Sequence, residues 1–273
     1  MKKNKIEKNN GIKGFMLLLA AILPLGAAVG LFIAYSHLRD LWLEQCVITD
    51  AATQVQISSG KLVQAGTIAE KFGLVNGANI ALIDFPAKRQ EMLAKYPAIR
   101  DMSIETIMPN KVNISIIERE PVVRMNIRGQ KGDTWRVADT DGVVFQCRRG
   151  TGLLPIVREP QMPGTAVGSK LSGRALAALR LVETCRRPDL QELGILEVDT
   201  SKEDFLCATL SDYSKAKIAW SGMDDPDASQ NADLLATLTN LRDAIKSNVG
   251  TGVTTWNATS TEFIYADTKE KIQ

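Results

Sequence analysis

The sequence predicts an α+β protein carried on a single amino-terminal membrane helix, with helices and a mostly antiparallel sheet in the folded region that follows. Three observations predict this class: an uncharged apolar run near the amino terminus, a stretch whose apolar residues alternate as in strands, and later segments with helical spacing. With 273 residues and 45% hydrophobic content, the chain is long enough for an anchor and one large or two small domains.

The apolar run extends from Phe15 to Tyr35 and contains no charged residue. At ~1.5 Å per residue it measures roughly 32 Å, which is enough to cross a bilayer. Pro24 in its middle is tolerated in membrane helices. A cleaved signal peptide is the alternative, but its apolar core is usually only about 7–15 residues. We therefore expect residues 15–35 to form an uncleaved helix in contact with the lipid bilayer.

The residues before this run are basic and predict the orientation. Five lysines and Glu7 precede the run, so the positive-inside rule keeps residues 1–14 in the cytoplasm and exports the rest of the chain. The tail carries +4 (five minus one), and the total of +2 leaves about −2 for the remainder, so nothing predicts nucleic-acid binding. The lysines are Lys2, Lys3, Lys5, Lys8 and Lys13.

A short juxtamembrane segment, residues 36–45, follows the run. Its apolar residues favour a continuation of the helix, and Trp42 is placed near the lipid headgroups, where tryptophan is common. The next residue, Cys46, is one of four cysteines, and export would place all four where disulfides persist. Four cysteines allow three pairings, between which the sequence does not choose, and buried free thiols are the alternative. The other three are Cys147, Cys185 and Cys207.

Residues 46–124 predict a first domain in the order strand, helix, helix, strand, strand. The first strand ends with alternating Val55 and Ile57, and a short helix over residues 64–72 precedes Gly73. A second helix follows Asp84, a favourable amino-terminal cap, and Pro97 ends it. Two strands then alternate apolar and polar residues around a Pro109-Asn110 turn, for which we expect type I geometry. The apolar positions are Met102, Ile104, Val112, Ile114 and Ile116.

Residues 125–267 predict a second, mixed domain, and residues 268–273 a polar tail. Asp141-Gly142 is a strong turn signal between two strands. Two segments have helical spacing: residues 173–184, with Ser172 as the expected cap, and the region from Leu234 to Ile245. The predicted strands are 135–137, 143–145, 153–158, 195–198, 205–210, 215–220, 253–259 and 262–266, and residues 159–172 are a predicted loop.

Four short motifs occur in a fixed order over about 100 residues behind the membrane span. They are Pro97-Ala98-Ile99, Pro109-Asn110-Lys111, the run from Ile116 through Glu118, Arg119 and Pro121 to Val122, and the run from Ala138 through Asp141 and Gly142 to Phe145. This order resembles the FtsQ family of bacterial cell-division proteins, called DivIB in other lineages. The resemblance implies a POTRA domain (β-α-α-β-β) over residues 46–124 and an FtsQ-type β domain over residues 125–267.

The resemblance also implies a function. Members of this family are not enzymes and need no cofactor. They are single-pass inner-membrane proteins at the division septum, with their domains in the periplasm. They link small coiled-coil partners, similar to FtsB and FtsL, to the septal peptidoglycan synthase complex. The Glu118-Arg119-Glu120-Pro121 stretch joins the two exported domains in such proteins, which implies a structural role here.

The carboxy-terminal strand is the predicted partner-binding site. A terminal strand at a sheet edge exposes unpaired N–H and C=O groups, onto which a partner can add a strand. The resemblance implies that this end docks the coiled-coil partners. Many family members have an Ile/Val-Asp-Leu-Arg-like strand here, where this chain has Val-Thr-Thr-Trp-Asn over residues 253–257. The candidate anchors are Trp256, Phe263, Ile264 and Tyr265, with ordinary core packing as the alternative for each.

Signals of enzyme chemistry are weak. The only histidine is His37, beside the membrane, so no Ser-His or Cys-His pair is expected in the exported region. Ser169-Lys170 is an adjacent pair in a predicted loop. Glu118 and Glu120 share a strand face, but a solvated strand end explains them more simply than paired catalytic carboxylates. We expect no metal site, because Asp139, Asp141 and Gly142 do not have calcium-loop spacing.

Two other functions remain open at this stage. The first is a POTRA-bearing envelope protein that transports or assembles polypeptides along its sheet edge. Outer-membrane assembly proteins usually add a barrel of amphipathic strands, whereas the region after Trp135 contains two helical segments. The second is a membrane-anchored cell-wall enzyme, which hydrolytic activity or dependence on a single carboxylate would support.

Overall fold

The computed structural model describes residues 4–126, 134–148, 153–158, 165–223, 230–248 and 252–267. The chain divides into two compact units. The first comprises Met1–Ser58, Ala65–Phe85 and Ile104–Ile114. The second comprises Ser59–Gln64, Pro86–Ser103 and Ser115–Gln273.

The chain begins with one long helix, α1 (Asn4–Gln45), which contains Pro24. The predicted span 15–35 lies inside it, and the helix continues through the segment 36–45, as expected from the sequence. The part from Ile22 to Gln45 is apolar and long enough to cross a membrane, and its most apolar stretch is not buried by the rest of the protein. Among the described residues, the chain therefore has one helix compatible with a membrane span.

The elements from residue 51 to residue 118 are short and include the predicted strand–helix–helix–strand–strand succession. The helix α3 ends at Gly73, whose φ of +72° is the left-handed conformation that glycine adopts readily. The turn between the last two strands spans residues 108–110 and contains a cis Met108–Pro109 bond. The elements are α2 (Ala51–Gln54), β1 (Val55–Ser58), α3 (Ala65–Phe72), a 3-10 turn (Ile80–Leu82), α4 (Phe85–Lys95), β2 (Ile99–Ile107) and β3 (Lys111–Glu118), with sheet order β1-β3-β2.

A larger sheet of nine described strands follows, in the order β12-β11-β10-β9-β8-β7-β4-β5-β6. Five of its neighbouring pairs are antiparallel and three are parallel, so the sheet is mixed. Its strands are β4 (Val123–Asn126), β5 (Thr134–Ala138), β6 (Val144–Arg148), β7 (Ile156–Arg158), β8 (Ile195–Asp199), β9 (Phe205–Leu210), β10 (Lys215–Ala219), β11 (Thr255–Ala258) and β12 (Tyr265–Ala266).

Two helices explain two of the parallel pairs. Helix α5 (Gly173–Cys185) lies between β7 and β8, and helix α6 (Gln230–Ser247) lies between β10 and β11. A helical crossover returns the chain to the same end of the sheet, so the flanking strands run parallel. Ser172 precedes α5 as predicted, but its side chain makes no capping hydrogen bond.

The main core lies between these two helices and one face of the large sheet. The predicted apolar face of α6 is confirmed: Leu234, Leu238 and Leu241 are buried, and Ile245 packs beside them. Helix α5 is rich in buried alanines, which allows it to approach the strands closely. A smaller cluster on β5 and β6 contains Val137, Phe145 and Cys147, packed with Leu62, Ala98, Trp135 and Leu154.

Parts of the predicted loop and tail lie outside the described residues, and the last two strands differ from the prediction in length. The predicted loop 159–172 is described only from Thr165, and residues 268–273 lie outside the described residues. The last two strands are shorter than the predicted 253–259 and 262–266. Asn257 explains the early end of β11, because its Oδ1 accepts hydrogen bonds from the Thr259 N–H (3.1 Å) and hydroxyl (2.7 Å), which turns the chain.

Candidate functional site

Strand β12 lies at one edge of the large sheet. It pairs with β11 in antiparallel register, Trp256 with Ala266 and Asn257 with Tyr265. The Asp267 N–H donates to the Thr255 carbonyl at 2.9 Å, so these two residues form a hydrogen-bonded pair. Hydrogen-bonded and non-hydrogen-bonded pairs alternate along antiparallel strands, so the next pair, Trp256 with Ala266, is non-hydrogen-bonded. The N–H and C=O of Ala266 therefore point away from β11. The edge thus presents backbone groups to an added strand.

The four candidate anchors divide between the two faces of this edge. Trp256 is buried in the main core, and Ile264 packs against that core. Phe263 and Tyr265 are 69% and 56% exposed. The Tyr265 hydroxyl accepts a hydrogen bond from Asn257 Nδ2 at 2.9 Å, which orients the ring across the β11–β12 ladder. The structure therefore brings Phe263 and Tyr265 to the surface and leaves Trp256 and Ile264 to support them from inside.

An ion pair secures the end of this edge. Asp267 follows β12, and its Oδ2 lies 2.9 Å from Lys217 Nζ on β10. Both side chains are mostly buried, and the Lys217 ammonium also lies 5.5 Å from the Phe205 ring centroid. A two-residue strand has few ladder hydrogen bonds, so this bridge contributes to holding β12 on the sheet.

A second arrangement surrounds Glu118 at the end of β3. Its carboxylate accepts hydrogen bonds of 2.8–3.0 Å from three consecutive backbone N–H groups, those of Lys61, Leu62 and Val63. Successive N–H groups that converge on one anion form a strong charge-assisted contact. Gly60 leaves room for it, because a Cβ there would lie 2.2 Å from Glu118 Oε2.

The neighbouring Arg119 makes a mostly buried ion pair. Its Nη1 lies 2.5 Å from Asp139 Oδ2 and 3.3 Å from Asp141 Oδ2, and its Nε donates to the Pro97 carbonyl at 3.1 Å. The Arg119 and Asp139 side chains are only 15% and 4% exposed. Asp139 Oδ1 also accepts from the Val143 N–H at 2.8 Å. The guanidinium thus joins the end of α4 to the turn before β6.

The remaining motif residues support these contacts. Ile99 is buried at the start of β2, Pro121 is half-buried, and Pro109 is exposed in the turn after β2. Gly142 has a φ of +73° in the turn after Asp139, and a Cβ there would meet Leu171 and Leu176. Asp141 also pairs with Arg100 at 3.3 Å on the surface.

Sequence reasoning selected Glu118, Arg119 and Asp141 but missed their main partners, residues 61–63 and Asp139. No periodic signal marks residues 61–63, whose backbone rather than side chains makes the contact. The sequence explains Asp139 as part of a turn. Its burial beside Arg119 depends on a contact between residues 20 positions apart, which the local pattern does not show. The only available signal was the need of a buried arginine for an acidic partner.

Glu183 on α5 adds a further carboxyl near this cluster. Burial raises its pKa above the ordinary value, and the charges of Asp139 and Asp141 act in the same direction. Arg186 and Arg180 oppose this change by attracting the ionised form. Acidic and basic side chains therefore lie close together here, in a partly buried environment.

The described residues show little that resembles a catalytic centre. The Ser169 hydroxyl donates to the Ala166 carbonyl at 2.6 Å, a local turn contact. Within the described part of the chain, no group of three His, Cys, Asp or Glu residues is placed to hold a metal ion. None of the four cysteines forms a disulfide, and burial raises the pKa of Cys185 to about 12, which makes its reactive thiolate rare.

Comparison with known proteins finds one informative relative and no matching family model. The chain is 23% identical over 104 residues to the cell division protein DivIB of Clostridium acetobutylicum. The alignment covers 38% of this chain and 40% of that protein, so the chain spans less than half the length of the relative it matches. This weak similarity favours a role in cell division.

Proposed function

We propose that this protein is a membrane-anchored, non-enzymatic scaffold of the bacterial division machinery. It holds small coiled-coil partners similar to FtsB and FtsL at the β12 edge and links them to the septal peptidoglycan synthase complex. The similarity to DivIB supports the division role, and the one helix among the described residues that is long and apolar enough to cross a membrane is compatible with the anchor. The observation that carries the docking mechanism is the open β12 edge with its exposed Phe263 and Tyr265.

The proposal includes a topology. Residues 1–14 lie in the cytoplasm, residues 15–35 cross the inner membrane, and the rest of the chain lies in the periplasm at the septum. Residues 46–124 form a POTRA domain and residues 125–267 an FtsQ-type β domain. The support is the lysine-rich amino terminus and the order of the sequence motifs.

Docking at this edge proceeds by strand addition. The outward N–H and C=O groups of Ala266 pair with an extended segment of the partner, which supplies affinity independent of side chains. Phe263 and Tyr265 contact apolar side chains of that segment and supply specificity. The buried Trp256 below them and the Lys217–Asp267 ion pair keep the edge in place before the partner arrives, which lowers the entropic cost of binding.

The Glu118 and Arg119 contacts contribute rigidity rather than recognition. Glu118 holds residues 61–63, and Arg119 holds the turn at Asp139 and the Pro97 carbonyl. Glu118 is the last residue of β3, and Arg119 lies in the short connection between the end of β3 and the strand β4 of the large sheet. They thereby fix the path by which the chain enters the sheet that carries the docking edge.

The test is affinity capture of the full-length protein from crosslinked native membranes, with proteins identified by mass spectrometry. Three proteins are compared: the parent, Tyr265→Glu, and the matched control Leu196→Glu, which places the same charge at an exposed apolar position on β8 of the same sheet. We expect the parent and the control to recover small bitopic coiled-coil proteins together with septal synthases, and the Tyr265 variant to lose them.

The other outcomes separate the parts of this proposal. Recovery of these partners by the Tyr265 variant would retain the division role and reject the docking edge. Recovery of outer-membrane clients would favour the transport function instead. Recovery of wall fragments alone, with hydrolytic activity, would contradict the scaffold and favour an enzyme.

A further inference from the structure

Two turns with exposed apolar side chains lie beside the end of α1 in the first unit. Leu82, at the end of the 3-10 turn, is 73% exposed. Ile107 and Met108, at the tip of the β2–β3 hairpin, are 43% and 52% exposed. A single exposed apolar residue is ordinary, but apolar residues on two turns at the same end of a unit indicate an interaction surface. We call Leu82, Ile107 and Met108 the apolar rim.

Hydrogen bonds connect the two turns of the rim to the last turn of α1 and to Val47, two residues after the helix ends. Asn79 Nδ2 donates to the Leu43 carbonyl at 2.8 Å, and Asn79 forms a β-bridge with Val47. On the hairpin, Asn110 Nδ2 donates to the Val47 carbonyl at 3.5 Å. Leu82 is three residues from Asn79, and Met108 is two residues from Asn110, so neither is farther than about 11 Å along the chain from these contacts.

The end of α1 is itself built into the folded unit. Cys46 and Ile48 are completely buried, and the Ile80 N–H donates to the Cys46 carbonyl at 3.0 Å. The unit is therefore attached to the helix through packed residues and not through a free linker. Its height above the membrane follows from the length of helix between the apolar run and these contacts.

That length places the end of α1, to which both turns are attached, near the bilayer surface. From Tyr35 to Leu43 the helix rises by eight residues, or about 12 Å. The polar headgroup layer extends roughly 5–8 Å beyond the hydrocarbon on each side. The remaining distance of about 4–7 Å is within the chain reach of both turns, and the usual tilt of a single span brings one side of the unit closer still.

We propose that the apolar rim is a second membrane contact, in which Leu82, Ile107 and Met108 enter the interface between headgroups and acyl chains of the bilayer. This inference rests on the proposed anchoring of α1 in a membrane. The exposed Trp42 on α1 lies at the same level and suits that interface. The contact holds the first unit against the membrane and limits its rotation about the end of α1.

The charges around the rim identify the kind of surface it fits. The exposed charged residues near the rim are mostly acidic: Asp40, Glu44, Asp84 and Glu105 outnumber Arg39 and Lys111. A strongly anionic lipid would be attracted by a cluster of basic residues, which the described residues here do not form. Binding therefore depends on apolar insertion into a zwitterionic interface, and it is insensitive to salt.

The test uses the full-length protein reconstituted in phosphatidylcholine vesicles, some of which carry a nitroxide near the headgroup end of an acyl chain. The fluorophore NBD is attached to cysteine in the variants Leu82→Cys, Met108→Cys and Ile117→Cys. Ile117 is a matched control, because it is an apolar residue on β3 that is 56% exposed. It lies six residues from the start of that strand, about 20 Å from the hairpin tip. The parent, labelled identically, measures the contribution of the four native thiols.

We expect the nitroxide to quench the probes at positions 82 and 108 at least twofold more than the probe at position 117. Equal quenching at the three positions, in protein that floats with the vesicles, would overturn the membrane contact and leave the division proposal intact. A change at positions 82 and 108 that requires added division partners would also overturn it, in favour of a protein interface. Protein that does not float would contradict the anchor itself.

Discussion

At Glu118 one carboxylate satisfies three backbone N–H groups that have no place in a sheet or helix ladder. Hydrogen bonds to an ionised group are each worth about 1.5–3 kcal/mol, and an N–H left without a partner incurs a desolvation penalty. The contact depends on the absence of a side chain at Gly60. Gly60, in a loop, thus determines whether Glu118, 58 positions later, can accept these hydrogen bonds.

We predict that Gly60→Ala destabilises the full-length protein in detergent by about 2 kcal/mol, because the new Cβ displaces the Glu118 carboxylate from its N–H partners. The measurement is urea unfolding followed by tryptophan fluorescence. The matched control is Gly66→Ala on α3, where a Cβ meets no atom within 4 Å. That change should stabilise the helix by about 0.5–1 kcal/mol. Equal effects of the two substitutions would refute the role given to Glu118.

The Arg119–Asp139 pair leads to a second prediction. Asp139→Ala leaves a mostly buried guanidinium with weaker acceptors and the Val143 N–H without its carboxylate, so we expect a loss of about 3 kcal/mol. A double-mutant cycle with Arg119→Met should show that the two losses are not additive. The control Arg187→Ala removes an exposed pair with Asp189 and should leave the unfolding midpoint unchanged. Additive losses would show that the pair has no specific role.

Glu183 provides a pH-dependent prediction. Because burial raises its pKa in the folded state above the ordinary 4.5, the folded protein resists ionisation of this group. Its contribution to stability is present below pH 4.5 and is lost as the pH rises through the folded pKa. We expect Glu183→Gln to be more stable than the parent at pH 7 and equal to it in acid. The control Glu105→Gln removes the same charge at an exposed position. A difference between the two variants is therefore due to the burial of Glu183. A pH-independent difference would contradict this account.

Strand β12 is only two residues long, yet it forms an edge of the large sheet to which a partner strand can be added. Ile264 and Ala266 pack against the core, whereas Phe263 and Tyr265 are exposed. Among the described strands β12 has one neighbour, β11, and the hydrogen-bond pattern between them leaves the N–H and C=O of Ala266 pointing outward. A substitution that acts only on those groups can therefore test strand addition without removing a side-chain contact of the exposed face.

We predict that Ala266→Pro prevents partner capture while the protein remains folded. Proline removes an N–H that faces away from β11, so the existing ladder is retained but an incoming strand loses a donor and meets the ring. The control Asn257→Pro lies on β11 opposite Tyr265, inside the ladder, and should lower the unfolding midpoint. Partner recovery and thermal unfolding are measured on both variants. Normal recovery by Ala266→Pro would exclude strand addition at this edge.

Helices were predicted more accurately than strands. The apolar residues at helical spacing from Leu234 to Ile245 and from residue 173 onward were enough to predict both helices. A helix needs only one buried face, and the residues of that face are close together in the sequence. The parallel pairing of β10 with β11 and of β7 with β8 was not predicted. Strand direction depends on where the crossover helix returns the chain, and alternation of apolar residues contains no such information.

At the scale of the whole molecule, the anchor and its orientation are separate questions. One helix among the described residues is compatible with a membrane span, while the orientation is a prediction from the five lysines. The boundary between the two predicted domains, 46–124 and 125–267, is also a prediction.

We predict that replacing these five lysines with glutamine reduces the fraction of molecules with a periplasmic carboxy terminus, because the charge bias that retains the tail is removed. The measurement is the activity of alkaline phosphatase, an enzyme active only in the periplasm, fused after residue 273. As a control, lysines beyond residue 45 are replaced in equal number, which should leave the orientation unchanged. An unaltered fraction in the first variant would show that other features determine the orientation.

The apolar helix, the two later helices and the Asp141-Gly142 turn were predictable from the sequence, and the order of motifs selected Glu118 and Arg119. These predictions depend on local periodicity, on the backbone preferences of glycine and proline, and on motif order, all of which are local properties of the sequence. The hydrogen-bond partners of Glu118 and Arg119, the mixed direction of the sheet, and the separation of the exposed Phe263 and Tyr265 from the buried Trp256 required the folded structure. Each of these depends on contacts between residues distant in sequence, because burial and pairing are set by which strands become neighbours.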